Sequence, residues 1–261
     1  MNAFAPTELG TDKPRLSMML WGESGTGKTT LAATAPGKKL LLLFDPDGDM
    51  SILTRKDVVK IDFTKMDMAT IINEAKKPDP YGIKALLAGD IDTVIVDSLT
   101  RFSETALRYI IPLTRGATPE NPTPGGYGAR NLIVINFINT LVRITSEYNK
   151  HIIFITHEGA PDKNDQGSVM SVGMMLGGQL PGLASKDISE VWCLFARGGK
   201  IRIAVRPEQL RSPMKTRMFV TQGTTTGFEW KYDDVKHTGM TLDAWWQKYL
   251  ETNYAKLPIP V

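Results

Sequence analysis

Leu16-Ser-Met-Met-Leu-Trp21 runs directly into Gly22-Glu-Ser-Gly-Thr-Gly-Lys-Thr29, and these fourteen residues decide how the chain is read. An apolar run of strand length enters a glycine-rich bend. Thr29-Thr-Leu-Ala-Ala-Thr34 then continues as a helix that stops before Pro36-Gly37. The bend carries the spacing Gly22-x-x-x-x-Gly27-Lys28-Thr29 of a P-loop. Four fixed positions of this kind arise by chance in roughly one chain in a hundred at average composition, and chance does not also supply the strand before and the helix after. Glycines free backbone N–H groups to wrap an anion, and a helix N-terminus adds partial positive charge. Gly22, Glu23, Ser24, Gly25, Thr26, Gly27, Lys28, Thr29 and Thr30 are therefore expected to cradle the phosphates of ATP. Lys28 would reach the β- and γ-phosphates, and the Thr29 hydroxyl would ligate Mg²⁺. The plainer alternative is a glycine-rich turn with a solvated lysine.

Such a site needs a second anchor for the metal. Asp97 ends the apolar run Thr93-Val-Ile-Val96, at the carboxyl end of a strand, where ligands collect in open parallel sheets. Its structural alternative is helix capping, since Asp97 or Ser98 precedes a helix directed towards Ile111.

Working outward, Lys39 to Phe44 and His151 to Thr156 also read as buried strands, and Val58 to Phe63 as a short one. Lys65 to Lys77 and Ala129 to Tyr148 have helical spacing. Glu190 to Ala196 and Lys200 to Val205 flank Arg197-Gly-Gly-Lys200 and predict a hairpin. Met214 to Val220 predicts one more strand, and Thr241 to Thr252 a terminal helix. Strands alternating with helices and followed by hairpins predict an α/β fold: a mostly parallel central sheet flanked by helices, with C-terminal antiparallel strands. Residues 1–14 read as an N-terminal arm and 15–261 as a single domain.

The 261 residues are 42% hydrophobic and 23% charged, a globular composition that excludes disorder as the dominant state. A net charge of +3 permits nucleic-acid binding without arguing for it. The single cysteine, Cys193, excludes an intramolecular disulfide, and its neighbours in Val191-Trp-Cys-Leu-Phe195 mark it as a packing thiol. The N-terminus lacks the charged and apolar regions of a signal peptide, and no apolar run approaches a membrane span, so a cytoplasmic protein with no membrane partner is expected.

Asp92-Thr-Val-Ile-Val-Asp-Ser-Leu-Thr100 resembles the Walker B strand of RecA-type recombinases, and Phe44-Asp-Pro-Asp-Gly48 resembles the segment after their second strand. That resemblance implies a RecA-like core in which Asp47 stands where the family has a glutamate polarising the attacking water. Asp47 is one methylene shorter, and Asp45 competes for the role. Phe154-Ile-Thr-His157 ends a strand where relatives carry a γ-phosphate-sensing glutamine, which implies a sensor role for His157. Together with Tyr127-Gly128 and Lys215-Thr-Arg217, these features look like phage-type RecA-core ATPases associated with single-strand annealing, over about residues 15–220. The same resemblance implies an oligomer, ring or filament, with ATP at the subunit interface and Lys215 and Arg217 reaching a neighbour's γ-phosphate, which makes Lys28, Asp47, Asp97, His157, Lys215 and Arg217 the catalytic set. In the arm, Phe4-Ala5 is a weak candidate for docking on an adjacent subunit.

Two expected loops, 113–128 and 158–178, match the family's DNA-binding loops in order. By this resemblance Arg115, Tyr127, Arg130, Lys163, Met170 and Met174 are candidate contacts to single-stranded DNA, through phosphates, stacking or insertion between bases. A single-strand-binding protein is a further possible partner. Glu120, Asp162 and Asp165 offset the few basic residues there. Two other functions compete: a replication-accessory switch that binds ATP and a protein partner without recombinase activity, and a nucleotide kinase, which lacks its arginine-rich lid here.

Overall fold

Successive side chains of a strand point to opposite faces of its sheet, and in this protein that alternation builds two cores. The computed structural model describes residues 14–220, 225–233 and 235–260. Its strands are β1 (Ser17–Gly22), β2 (Lys38–Leu43), β3 (Val58–Asp62), β4 (Ile91–Asp97), β5 (His151–His157), β6 (Asp162–Lys163), β7 (Val169–Ser171), β8 (Glu190–Arg197), β9 (Lys200–Ala204), β10 (Phe219–Val220) and β11 (Gly227–Glu229). The helices are α1 (Lys28–Ala33), α2 (Met68–Ala75), α3 (Ile83–Leu87), α4 (Leu99–Ile110), α5 (Thr123–Glu147), α6 (Leu180–Ser185) and α7 (Leu242–Glu251).

The central sheet has eight strands in the order β11-β9-β8-β1-β5-β4-β2-β3. Strands β3, β2, β4, β5, β1 and β8 run parallel; β9 and β11 are antiparallel at one edge. This is the expected fold class. Met19, Trp21, Leu42, Val96 and Phe154 face α2, α4 and α5, where Phe102 and Phe137 stack with ring centroids 4.2 Å apart. Met18, Leu20, Leu43, Ile95 and Ile153 face the other way, onto Leu31 of α1 and Trp245 and Trp246 of α7. Cys193 is a buried free thiol. The expected hairpin forms, with both turn residues, Gly198 (φ 59°) and Gly199 (φ 74°), in the left-handed conformation that glycine tolerates.

Several local expectations need correction. Residues 113–128 are not one loop, because α5 already starts at Thr123. Pro124 falls in its first turn, where a missing N–H leaves no bond unmade. Tyr127 therefore rides on the same helix as Arg130, which was expected there. The segment after β5 is not structureless either: β6 and β7 pair as an antiparallel ribbon, and Glu158 bridges Met174. The strand expected over Met214 to Val220 shrinks to β10, paired with Leu257–Pro258, plus an isolated bridge from Lys215 to Val191. Helix α2 is shorter than the apolar spacing suggested, because the Asp67 side chain caps it by accepting from Thr70 N at 2.9 Å. Residues 1–13 of the expected arm, Phe4 and Ala5 included, lie outside the described residues.

Register brings the carboxyl ends of the parallel strands together. Gly22 pairs with His157, and Asp97 pairs with Leu43 on one side and Ile155 on the other. The chemistry-bearing residues of β1, β4 and β5 thus meet at one edge of the sheet.

Candidate nucleotide site and an adjoining cavity

Two glycines shape the bend after β1. At Gly22 (φ 139°) a Cβ would stand 1.8 Å from the Leu194 carbonyl oxygen, so only glycine passes against β8 there. At Gly27 (φ 80°) a Cβ would meet the Trp230 ring at 2.7 Å. Lys28 opens α1 and is only 5% exposed. Its Nζ donates to the carbonyls of Gly22 (3.0 Å) and Glu23 (2.6 Å), which closes the loop around the ammonium. Burial lowers its pKa, against the opposing pull of the Asp97 charge.

Thr29 Oγ1 donates to Asp97 Oδ2 at 2.6 Å. Asp97 is 3% exposed, and burial pushes its carboxyl up to about 6; the Thr29 hydroxyl opposes that shift and the nearby Asp45 charge adds to it. A hydroxyl and a desolvated carboxylate at a cleft are the donors Mg²⁺ uses when phosphate oxygens complete its shell. Among the described residues no cluster of three or more His, Cys, Asp or Glu side chains could hold a metal. The Thr29 hydroxyl and the Asp97 carboxylate fit two positions of a metal whose shell phosphate oxygens complete.

The cleft, ≈ 580 Å³, is lined by Gly25, Lys28, Thr29, Asp45, Asp47 and His157 among others. Asp45 and Asp47 differ in what holds them. Asp45 Oδ2 lies 3.0 Å from His157 Nε2, and Asp45 Oδ1 accepts from Arg101 Nε at 3.3 Å. Burial opposes ionisation of Asp45, but bonds to His157 and Ser98 and the charges of His157 and Arg101 outweigh it and hold its pKa below the ordinary carboxylate value. Asp47 sits at φ 57° on the turn after β2 and exposes its side chain to the cleft. Arg101, in the first turn of α4 with its backbone N–H donating to the capping Ser98 Oγ at 3.2 Å, went unnoticed in the sequence; its place after the Asp97-Ser98 step was the available signal.

A second cavity, ≈ 660 Å³, opens beside the first between α4, α5, α6 and the segment after β5. Its wall includes Thr100, Arg130, Met174, Gly177 and Gly178. The two spaces adjoin where the His157 backbone N–H donates to Thr100 Oγ1 at 3.0 Å. Arg130 is only 7% exposed; its Nε donates to Asn131 Oδ1 at 3.0 Å, and its guanidinium lies 5.3 Å from the Tyr127 ring. Both Nη atoms reach within 3.6 Å of where a Cβ on Gly177 would be, and among the described residues Arg130 has no carboxylate partner. Met174 does not project into solvent as expected: it is 4% exposed and belongs to the core. Met170, Lys163 and Arg115 are exposed, the first two on the β6–β7 ribbon and Arg115 between α4 and α5.

Lys215 and Arg217 stand apart from this chain's cleft. Lys215 bridges Val191, and Arg217 N donates to Glu190 Oε1 at 2.6 Å; Glu190 pairs with Met18, near the start of β1, at the opposite end of the sheet from the P-loop.

Fold and cleft together define a P-loop nucleotide-binding protein of the α/β class. Residues 15–190 match the model of the AAA domain family, and the chain belongs to that family of P-loop ATPases, which generally bind ATP with Mg²⁺. A comparison with curated proteins gives no match. No helix among the described residues is long and apolar enough to cross a membrane.

Proposed function

We propose that the chain is an ATP-hydrolysing, RecA-like protein that binds single-stranded DNA and promotes phage-type homologous recombination or annealing. The observation that carries this reading is the adjacency of the two cavities. A cleft built for a triphosphate is joined by the His157–Thr100 hydrogen bond to a cavity holding a buried arginine that has no carboxylate partner among the described residues. A guanidinium facing a cavity without a carboxylate among the described residues favours an anion, and a phosphate of the DNA backbone is the anion assigned to it. Gly177 and Gly178 let that phosphate approach main-chain N–H groups. Tyr127 and Met170 offer stacking or apolar contact to bases, while Lys163 and Arg115 offer outer phosphate contacts.

In the nucleotide cleft, Lys28 exchanges the carbonyls of Gly22 and Glu23 for the β- and γ-phosphates. Asp97 and Thr29 would hold Mg²⁺, which when bound would neutralise charge on the phosphate oxygens. Asp47, without a competing partner, orients the attacking water. His157, steadied by Asp45, donates to a γ-phosphate oxygen and reports its presence through Thr100 to the second cavity. Lys215 and Arg217 complete a neighbouring subunit's site in a ring or filament, where their positive charge offsets charge developing on the transferred phosphoryl group.

The test is the ATPase rate of wild type and Arg130→Ala with and without single-stranded DNA, with negative-stain images of the assembly. Stimulation in wild type, its loss in Arg130→Ala and ordered oligomers support the reading. ATP binding without turnover, with or without DNA, favours instead the replication-accessory switch, and phosphate transfer to an added nucleoside monophosphate favours the kinase.

A further inference from the structure

The segment after β9 folds back over the P-loop and ends its reach in one side chain, Arg211. The Nη2 of Arg211 donates to Glu23 Oε1 at 2.8 Å, and its Nε donates to Glu158 Oε2 at 3.0 Å. A further bond from Nη2 reaches Glu158 Oε1 at 3.3 Å, and the guanidinium lies over the Phe195 ring at 4.5 Å. Glu23 is the second residue of the P-loop, and Glu158 directly follows His157 at the root of the segment that borders the second cavity. The main chain is stitched in the same pattern. Glu158 N donates to Gly22 O (2.9 Å), Val172 N to Leu210 O (3.0 Å), Ser212 N to Val172 O (3.0 Å) and Met175 N to His157 O (2.8 Å). Ser212 and Pro213 are themselves part of the second cavity's wall.

Three stretches distant in sequence therefore meet at one planar fork. Lysine cannot replace it, because a point charge holds one carboxylate well and two poorly. Charge also makes the fork necessary. Without Arg211, Glu158 and Glu23, whose Oε2 accepts from Ala196 N at 3.2 Å, would present two carboxylates that have lost their guanidinium beside a loop shaped for a triphosphate. The carbonyl of Glu23 accepts from Lys28 Nζ at 2.6 Å. When Lys28 turns to a phosphate, it leaves the same residue whose carboxylate Arg211 holds.

We propose that Arg211 is a positioning residue that couples the two cavities: it locks Glu23 of the P-loop to Glu158 so that triphosphate binding orders the 158–178 segment. This rests on the function proposed above and adds to it the residue through which nucleotide and DNA sites communicate.

The experiment uses the full chain, ATP with Mg²⁺, calorimetry for binding, and trypsin cleavage after Lys163 as the readout of segment order. In wild type, bound ATP slows that cleavage by about tenfold, within the usual range of allosteric coupling. In Arg211→Ala the slowing falls to less than about twofold, and ATP binds more weakly. Adding Glu23→Gln to Arg211→Ala removes one unpaired carboxylate and restores ATP affinity, while protection of Lys163 stays lost. Arg211→Lys, the variant least disturbing to folding, keeps affinity and protects only partly. Thermal melting of each variant without nucleotide separates coupling from general loosening. Protection in Arg211→Ala or Arg211→Lys within about twofold of wild type overturns the proposal, as does a wild type that binds ATP without protecting Lys163. Failure of wild type to bind ATP overturns the proposed function itself, and the coupling with it.

Discussion

Thr29 Oγ1 stands 2.6 Å from Asp97 Oδ2, a bond between residues 68 positions apart that joins the first turn of α1 to the carboxyl end of β4. It brings together the two side chains that a magnesium-bound triphosphate requires, one on the helix that follows β1 and one at the end of β4, strands separated in the sheet by β5. The account of the cleft is built on that pair.

Asp97 is buried at the cleft with one hydroxyl as its close partner, and its desolvation outweighs the pull of the nearby Lys28 and His157 charges, so holding it ionised costs stability. Asp97→Asn keeps the shape and removes the charge. The nucleotide-free variant should be more stable than wild type by about 1–3 kcal/mol in urea denaturation, and should lose the further stabilisation that Mg²⁺ and ATP together give wild type. A less stable variant would mean that the carboxylate is already compensated.

Lys28 is held by two carbonyls, and its charge is expected to transfer to phosphate oxygens. Lys28→Ala should weaken ATP binding by at least about a hundredfold, given about 1.5–3 kcal/mol for each charge-assisted bond. Calorimetry checks this, with circular dichroism to confirm that the loop's loss of two bonds leaves the fold intact.

Asp47 and Asp45 make opposite predictions. Asp45 is engaged by His157 and Arg101, whereas Asp47 faces the cleft. Asp47→Asn should retain ATP binding and lose turnover by about 10²–10⁴-fold, the usual contribution of a base or water-orienting group. Asp45→Asn should cost less. Equal turnover in wild type and Asp47→Asn would reject the role, and a larger loss at Asp45 would transfer it there.

Much of this was legible in the sequence because it depends on local pattern. The P-loop, the buried strands, the hairpin and the Asp97 anchor each follow from spacing or period-two alternation within a short window. The rest depends on tertiary choices. Arg130 reads as a phosphate contact near the start of a helix, yet α5, which begins six residues before the expected Ala129, carries it into a cavity wall. Met174 reads as exposed within a loop, yet the bridge from Glu158 turns it into the core. Arg101 and Arg211 carry no motif; their partners lie on other elements, so only the folded chain brings them to the cleft.

His151 opens β5 and accepts a hydrogen bond from Leu16 N at Nδ1, 2.9 Å long. Burial pushes its pKa down to about 4, below the ordinary value of 6.5. The folded state thus prefers the neutral ring. Its contribution is complete above pH 6.5 and is lost as pH falls from 6.5 towards 4, because the unfolded chain takes up the proton first. Wild type should lose about 1–3 kcal/mol from this group over that window, and a His151→Asn variant should show a flatter pH profile. Identical profiles would remove His151 as the cause.

Lys215 and Arg217 lie at the far end of the sheet from their own P-loop, and the proposed function gives them a catalytic part on a neighbouring subunit. Arg217→Ala should bind ATP with unchanged affinity and turn over at least about tenfold more slowly, a modest loss for a trans-acting cation. Mixing it with Lys28→Ala, which still carries Arg217, should restore part of the rate. No defect in Arg217→Ala would remove it from the site.

The central claim is that the bend from Gly22 to Thr29 holds a nucleoside triphosphate whose metal is anchored by Asp97. Titration of ATP into the protein in a calorimeter, in magnesium buffer and again in excess chelator, tests it most directly. The account predicts saturable binding at one site per chain that weakens sharply when the metal is removed. Absence of binding in magnesium buffer, or equal affinity with and without the metal, would contradict it.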